Sequence, residues 1–379
     1  MFQVIVEDKL TLARVGLLKT VHGTAETPFF MPVATKGAVK FLTSDMLKEM
    51  PVQALISNGF LLSLNPGVEI IEKAGGIQRF MGFDGVCFTD SGGFQISRKT
   101  FNPGHKEDGL VFKNPFQGGK VHLTPEKIME IQIRLGSDVA MGLDDMPDYN
   151  EPRQRYVDSL KRTHEWMEQC KEAHDRLKKK YNSQQLLFGI TQGGTLPDLR
   201  KESCEFMKKL NFDGFAIGGL GMGEPSEERL QTVKVATDIL PNHKPRYLMG
   251  IGSPLDLLES ISLGADMFDS AFPTANARHG TLFTSQGVIH LKNAEFKEDL
   301  GPLDESCTCF VCQNYSRAYL RFLSKTHDPV NYVYTSYHNV YFLQDLLAKA
   351  RQAIKKGSFL EFLEDFRKKY ARKQRLPGP

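Results

Sequence analysis

Short runs of apolar and β-branched residues recur along the chain, most closing on Gly, Asn, Asp or Gln and each followed by a stretch of helical periodicity. They are Phe29 to Ala34, Ala54 to Asn58, Val86 to Asp90, Val139 to Asp144, Leu187 to Gln192, Phe215 to Leu220, Tyr247 to Gly252 and Ala265 to Asp269. Nearly continuous apolar strands alternating with helices need burial on both faces, which describes a parallel sheet wrapped in helices. Eight such units predict an α/β chain closed into a (β/α)8 TIM barrel, with an open doubly wound sheet as the alternative. The third and fourth runs lie about fifty residues apart, more than one crossover needs. Within that gap Leu110 to Lys113 and Lys120 to Leu123 flank a Pro/Gly-rich turn and read as an inserted hairpin. The expected organisation is a barrel over 1–292 with an N-terminal hairpin lid and an insertion near 96–125. A cysteine-bearing, metal-binding subdomain over 293–340 follows, then closing helices with a basic tail over 341–379, packed on the barrel.

Composition narrows the class without choosing a function. Among 379 residues, 41% are hydrophobic and 25% charged, ordinary globular values. Phe2-Gln3-Val4-Ile5-Val6 runs directly into Glu7, Asp8 and Lys9, too short and wrongly flanked for a secretory signal, so a cytoplasmic protein without membrane spans is expected. A net charge of +3 is too small to argue nucleic-acid binding. One basic concentration stands out, Arg367, Lys368, Lys369, Arg372, Lys373 and Arg375, and it suits a phosphate backbone as well as it suits a solvated helix end. Of six cysteines, Cys307, Cys309 and Cys312 cluster, and in a reducing compartment such a cluster indicates metal and not disulfides.

Barrel active sites lie at the carboxyl ends of the strands, and the polar residues gather there. Asn58 ends the second strand, Asp90-Ser91-Gly92-Gly93-Phe94-Gln95 follows the third, and Asp144-Asp145 closes the fourth. Gln192-Gly193-Gly194 ends the fifth, Gly218-Gly219 lies in the sixth, and Asp269 ends the eighth. Any single Asp or Gly has a plain explanation as a strand terminator. Their convergence on one face of the barrel does not. No histidine accompanies the carboxylates, which argues against a metal at this face. Paired carboxylates with separate jobs fit better, one attacking an anomeric carbon and the other handling protons, as in retaining glycosyl transfer.

At this point the motifs resemble one family. Thr89-Asp90-Ser91-Gly92-Gly93-Phe94-Gln95, Gly189-Ile190-Thr191-Gln192-Gly193-Gly194, Ile217-Gly218-Gly219-Leu220 and Phe268-Asp269-Ser270-Ala271-Phe272-Pro273-Thr274 are similar, in order, to the motifs of the tRNA-guanine transglycosylases, or queuine tRNA-ribosyltransferases. Cys307-x-Cys309-x-x-Cys312 with a later His338-Asn339 extends the match over essentially the whole chain. The resemblance implies a pentosyltransferase of queuosine biosynthesis. Such an enzyme exchanges guanine at the wobble position of tRNAs with GUN anticodons for a 7-deazaguanine, preQ1 or queuine, through a covalent RNA intermediate. It implies Asp269 as nucleophile and Asp90 as general acid and base. Ser91, Gly92, Gly93, Phe94, Asp144, Gln192, Gly219, Leu220 and Met249 would hold the base. Gly250, Ile251, Gly252, Ser253, Pro254, Thr274, Ala275, Asn276, Ala277 and Arg278 would contact the RNA, with Ser253 as N-cap and Pro254 at the first helical position. The family further implies a homodimer. Such a reading competes with a non-catalytic RNA-binding partner subunit, which would be expected to have lost Asp90 and Asp269.

Three cysteines supply three thiolates, and tetrahedral zinc takes a fourth ligand, for which His338 and His327 are available. The resemblance, and its position at the start of the last amphipathic helix, favour His338. Four protein ligands make one structural zinc per chain. Two features depart from the common bacterial pattern. Ala275 stands where relatives often carry Arg, and Met222 and Met146 are unusual near the 7-substituent of the base.

Overall fold

The computed structural model describes residues 1–92, 104–106, 108–114, 116 and 118–371. Three antiparallel strands open the chain, β1 (Phe2–Glu7), β2 (Arg14–Thr20) and β3 (Gly23–Thr27). The eight barrel strands are β4 (Phe29–Pro32), β5 (Ala54–Asn58), β6 (Val86–Asp90), β10 (Val139–Met141), β11 (Leu186–Thr191), β12 (Gly214–Ile217), β13 (Arg246–Leu248) and β14 (Met267–Ser270). Between β6 and β10 lies a separate sheet of β7 (Gly104–Lys106), β8 (Gly109–Lys113) and β9 (Lys120–Leu123). The barrel strands pair in parallel in the order β4-β14-β13-β12-β11-β10-β6-β5. A parallel bridge from Val33 to Ile56, with the Ala34 N–H donating to the Ile56 carbonyl at 2.7 Å, joins β4 to β5 and closes the ring.

The interior is packed in the layered way that barrels require. Phe29, Phe88, Phe188 and Tyr247 come from the first, third, fifth and seventh barrel strands, and each is at most 1% exposed. Their rings gather about Phe88, with centroids 5.7 Å to Phe188, 6.0 Å to Tyr247 and 6.4 Å to Phe29. Four side chains from alternate strands make one layer of a barrel core. Side chains alternate along a strand, so Asp90, two residues beyond Phe88, stands on the same inward face above that layer.

Three expectations change. The N-terminal segment is a three-stranded meander, not a hairpin, and it covers the end of the barrel opposite the carboxylates. Arg14 pairs with Asp266 at 2.6 Å and donates to the Lys244 carbonyl at 2.8 Å. The Glu26 N–H donates to Gln53 at 2.7 Å, and His22 meets Asp138 at 3.0 Å. Gln53, Asp138, Lys244 and Asp266 all sit just before barrel strands, so this sheet is a floor. Arg14 and Asp266 are buried, and removing either partner would cost about 3–5 kcal/mol by leaving the other charge unpaired.

The fourth, sixth and seventh strands are shorter than their apolar runs. Beyond Met141, the Leu143 N–H turns to the Cys170 sulfur and the Asp145 N–H to the Thr163 hydroxyl, so neither can pair with a neighbouring strand. Gly219 (φ 73°) and Gly250 (φ 77°) turn the chain into the left-handed region, which ends the other two. Nor is there a boundary at residue 340. One 28-residue helix, Pro329–Lys356, runs through it, with Asp328 capping the Val330 N–H at 2.9 Å. Its C-terminal half closes the barrel, Gln344 donating to the Phe30 carbonyl at 3.0 Å and Arg351 to the Pro28 carbonyl at 2.7 Å. The inserted hairpin is present as β8 and β9, in the register Leu110↔Leu123 and Lys113↔Lys120, with β7 added as a third strand. Its buried Phe112 packs edge-on against Phe60, centroids 4.5 Å apart.

Candidate active site

Asp269 lies in the last barrel strand with one carboxylate oxygen anchored. Its Oδ1 accepts from the Tyr247 hydroxyl at 2.6 Å and from the Gly250 N–H at 2.9 Å, while Oδ2 has no donor among the described residues. Burial pushes the carboxyl pKa up, and the two donors pull it back by favouring the ionised form. Asp90 ends β6, one strand pair away from Asn58, and its Oδ1 accepts from the Gly92 N–H at 3.0 Å. The Tyr247 phenol is driven well above its ordinary pKa, first by burial and then by the charges of both Asp269 and Asp90. One buried hydroxyl therefore lies within the field of both carboxylates.

A second group gathers around Asp144 and Gln192. Asp144, three residues past β10, accepts from the Gln192 amide at 2.6 Å, and burial raises its pKa to about 6 despite that bond. Gly218 and Gly219 leave room for the Gln192 side chain. A Cβ on Gly219 would sit 2.5 Å from Gln192 Oε1, and one on Gly218 2.8 Å from Nε2. Two glycines are therefore a steric condition for placing the amide. Leu220 and Ser91 are buried, and Met249 is partly exposed beside Gly250. Gly92 takes a left-handed φ of 78°, with Phe60 crowding the position a Cβ would fill. Gly93, Phe94 and Gln95 lie outside the described residues.

The neighbouring Asp145 serves architecture. It is buried and held by Arg155 at 2.6 and 2.7 Å and by Arg162 at 2.6 and 2.9 Å, both from the helix Arg153–Lys180. Those arginines are spaced seven apart, two helical turns, which is a signal that the sequence carried. Sequence reasoning also missed Tyr247, read as strand core, and Glu224. Glu224 is buried and accepts from the Gly221 N–H at 2.7 Å and the Met222 N–H at 2.8 Å, fixing the loop at the pocket rim. Arg200, buried behind the Gln192 and Gly219 loops, was missed too.

The residues expected to meet RNA divide by accessibility. Gly250 and Gly252 lie on the loop before the helix Pro254–Ser262, but the Gly250 N–H is spent on Asp269. Ser253 holds the N-cap position with no hydroxyl bond to the first turn, and Pro254 is at the first helical position. The Ile251 side chain is buried. In the helix Phe272–His279, Thr274 and Ala277 are 5% and 0% exposed, and their side chains face the core. Ala275, Asn276 and Arg278 are partly exposed. Of the basic cluster, Arg367 is committed to Glu259 at 2.8 Å and Lys369 to Asp365 at 2.6 Å. Arg372, Lys373 and Arg375 lie outside the described residues.

Cys307, Cys309, Cys312 and His338 converge, their ligand atoms all within 4.8 Å of one another. His338 Nδ1 is 3.9, 3.5 and 3.4 Å from the three sulfurs, close to the roughly 3.6 Å that tetrahedral zinc sets between nitrogen and thiolate ligands. The second ring nitrogen lies 2.7 Å from the Phe283 carbonyl, which orients Nδ1 inward. The cluster fits one structural zinc site with every position filled by protein. His338 sits mid-helix instead of opening it. Its neighbour Asn339 donates to the Pro273 and Thr281 carbonyls at 3.0 and 3.1 Å, tying the metal helix to the helix that follows Asp269.

A closed (β/α)8 barrel with half-buried carboxylates and a glycine-flanked amide at its C-terminal face, and a Cys3His site on its closing helix, defines a barrel transferase of the glycosyl-transfer kind. The chain belongs to the queuine tRNA-ribosyltransferase family, whose model matches residues 8–372. It is 46% identical to the queuine tRNA-ribosyltransferase of Caldanaerobacter subterraneus subsp. tengcongensis over 97% of both chains. It is 44% identical to that of Halothermothrix orenii over 98% of both. No helix among the described residues is long and apolar enough to cross a membrane.

Proposed function

We propose that this protein exchanges guanine at the wobble position of GUN-anticodon tRNAs for a 7-deazaguanine base, preQ1 or queuine, by double displacement. The observation that carries it is the Asp269 carboxylate, with Oδ1 fixed by two donors and Oδ2 left to attack, in the same barrel mouth as the Asp144–Gln192–Gly219 pocket. Asp269 forms a bond to ribose C1′ as the C1′–N9 bond breaks, and the bonding pair leaves with guanine. Asp90 delivers the proton that neutralises the departing base. The incoming base gives its N9 proton to Asp90 and displaces Asp269, so two inversions restore the original configuration.

Asp144 accepts from guanine N1–H and N2–H, and the Gln192 amide and Gly219 N–H donate to O6. Those last contacts strengthen as charge flows into the ring, so they act on the transition state. The family pattern supports Phe94 and Met249 as the residues that stack on the base. Extrusion into such a pocket costs least from a single-stranded loop, which suits an anticodon. Gly252, Ser253, Ala275, Asn276 and Arg278 contact the RNA, and the family pattern supports a homodimer. Both aspartates are present, against the partner-subunit reading. Asp269→Asn should abolish the covalent RNA adduct on a denaturing gel, and a persisting adduct would falsify the nucleophile assignment. Parallel exchange of labelled guanine against preQ1 and queuine identifies the donor base.

A further inference from the structure

Arg200 is an unusual residue for a protein interior. It is 0% exposed and makes no salt bridge among the described residues, and its guanidinium ends on uncharged groups. Nη1 donates to the Thr191 carbonyl at 2.8 Å and to the Thr191 hydroxyl at 3.1 Å. Nη2 donates to the Gly194 carbonyl at 2.9 Å and the Gly218 carbonyl at 2.7 Å. Nε has no partner. Burial lowers the pKa to about 10, so the group is still a cation at neutral pH. Burying an unpaired charge is costly, and no carboxylate among the described residues offsets it here.

The placement of these bonds is informative. The Gly218 carbonyl and the Gly219 N–H belong to one planar trans peptide, so they point in opposite directions. A cation donating to the carbonyl polarises the same peptide and makes its N–H a stronger donor. We infer that Arg200 is a positioning residue for the exchange reaction: through the Gly218–Gly219 peptide it charges the N–H that receives the base O6. This rests on the proposed function. Its benefit grows as the departing base gains negative charge, so it belongs to kcat more than to substrate affinity.

Two variants test it, with wild type run in parallel. Arg200→Met keeps the length and removes the charge. Cys204→Asp, one helical turn on and already in electrostatic contact with Arg200, neutralises the charge while keeping the arginine. Base exchange at saturating tRNA should fall about 10- to 100-fold in each, with KM for tRNA and base within about threefold of wild type. Unchanged kcat in either folded variant overturns the inference, as does a KM rise that accounts for the whole loss, which marks a brace alone. If Arg200→Met does not fold, Cys204→Asp decides. Failure of wild type to exchange guanine at all refutes the proposed function instead.

Discussion

Replacing Tyr247 with phenylalanine removes one of the two donors to Asp269 Oδ1 and little else, because the ring stays packed against Phe88. The lost bond is short, 2.6 Å, and charge-assisted, a class worth about 1.5–3 kcal/mol to the ionised partner. The hydroxyl favours the carboxylate over the carboxylic acid, so its loss raises an Asp269 pKa that burial has already raised. At 1.36 kcal/mol per unit, the shift is roughly one to two pH units upward. In the proposed mechanism attack needs the carboxylate, so activity should be lost at higher pH in the variant as pH falls. The assay is single-turnover formation of the covalent RNA adduct, quenched and resolved on denaturing gels across a pH series. The acid limb should move up by that amount, with a smaller fall, about tenfold or less, on the plateau. An acid limb that stays in place in a folded variant refutes the argument that Tyr247 tunes the nucleophile.

Asp144→Asn replaces a half-buried carboxylate whose pKa is raised to about 6. The folded pKa lies above the unfolded one, so ionisation costs stability as pH rises through it; Tm near pH 7 should hold or rise while guanine exchange falls about 100-fold, and a lower Tm with activity intact contradicts this. In the wild type, KM for the free base should climb as pH drops through about 6, because protonated Asp144 loses an acceptor; titrating KM against pH reads it directly. Gly219→Ala places a Cβ 2.5 Å from Gln192 Oε1 at a φ of 73°, so base affinity should drop at least tenfold and stability by about 1–2 kcal/mol, measured by isothermal titration and urea melts. Elemental analysis should return one zinc per chain, and Cys312→Ser should lose it together with several degrees of Tm; a metal-free preparation with full activity and unchanged melting refutes the structural zinc.

The barrel was legible in the sequence because parallel strands buried on both faces must be written as apolar runs, and eight of them fix the architecture. The carboxylates at the strand ends were legible for the same reason: a polar residue closing an apolar run has nowhere to point but the mouth. Strand lengths were not, since Gly219 and Gly250 leave the ladder by a backbone choice that hydropathy does not record. Adjacent aspartates read alike, yet only packing separates Asp144, which opens to the pocket, from Asp145, which two arginines hold in place. Thr274 and Ala277 fell in a segment that resembles an RNA contact, and only helix orientation turned them inward. The three clustered cysteines announced a metal, but their fourth ligand comes from the middle of a helix whose other end closes the barrel. Sequence determines which residues are polar and how often; the direction of each side chain, and the partner that holds it, arises only when strands and helices distant along the chain close on one another.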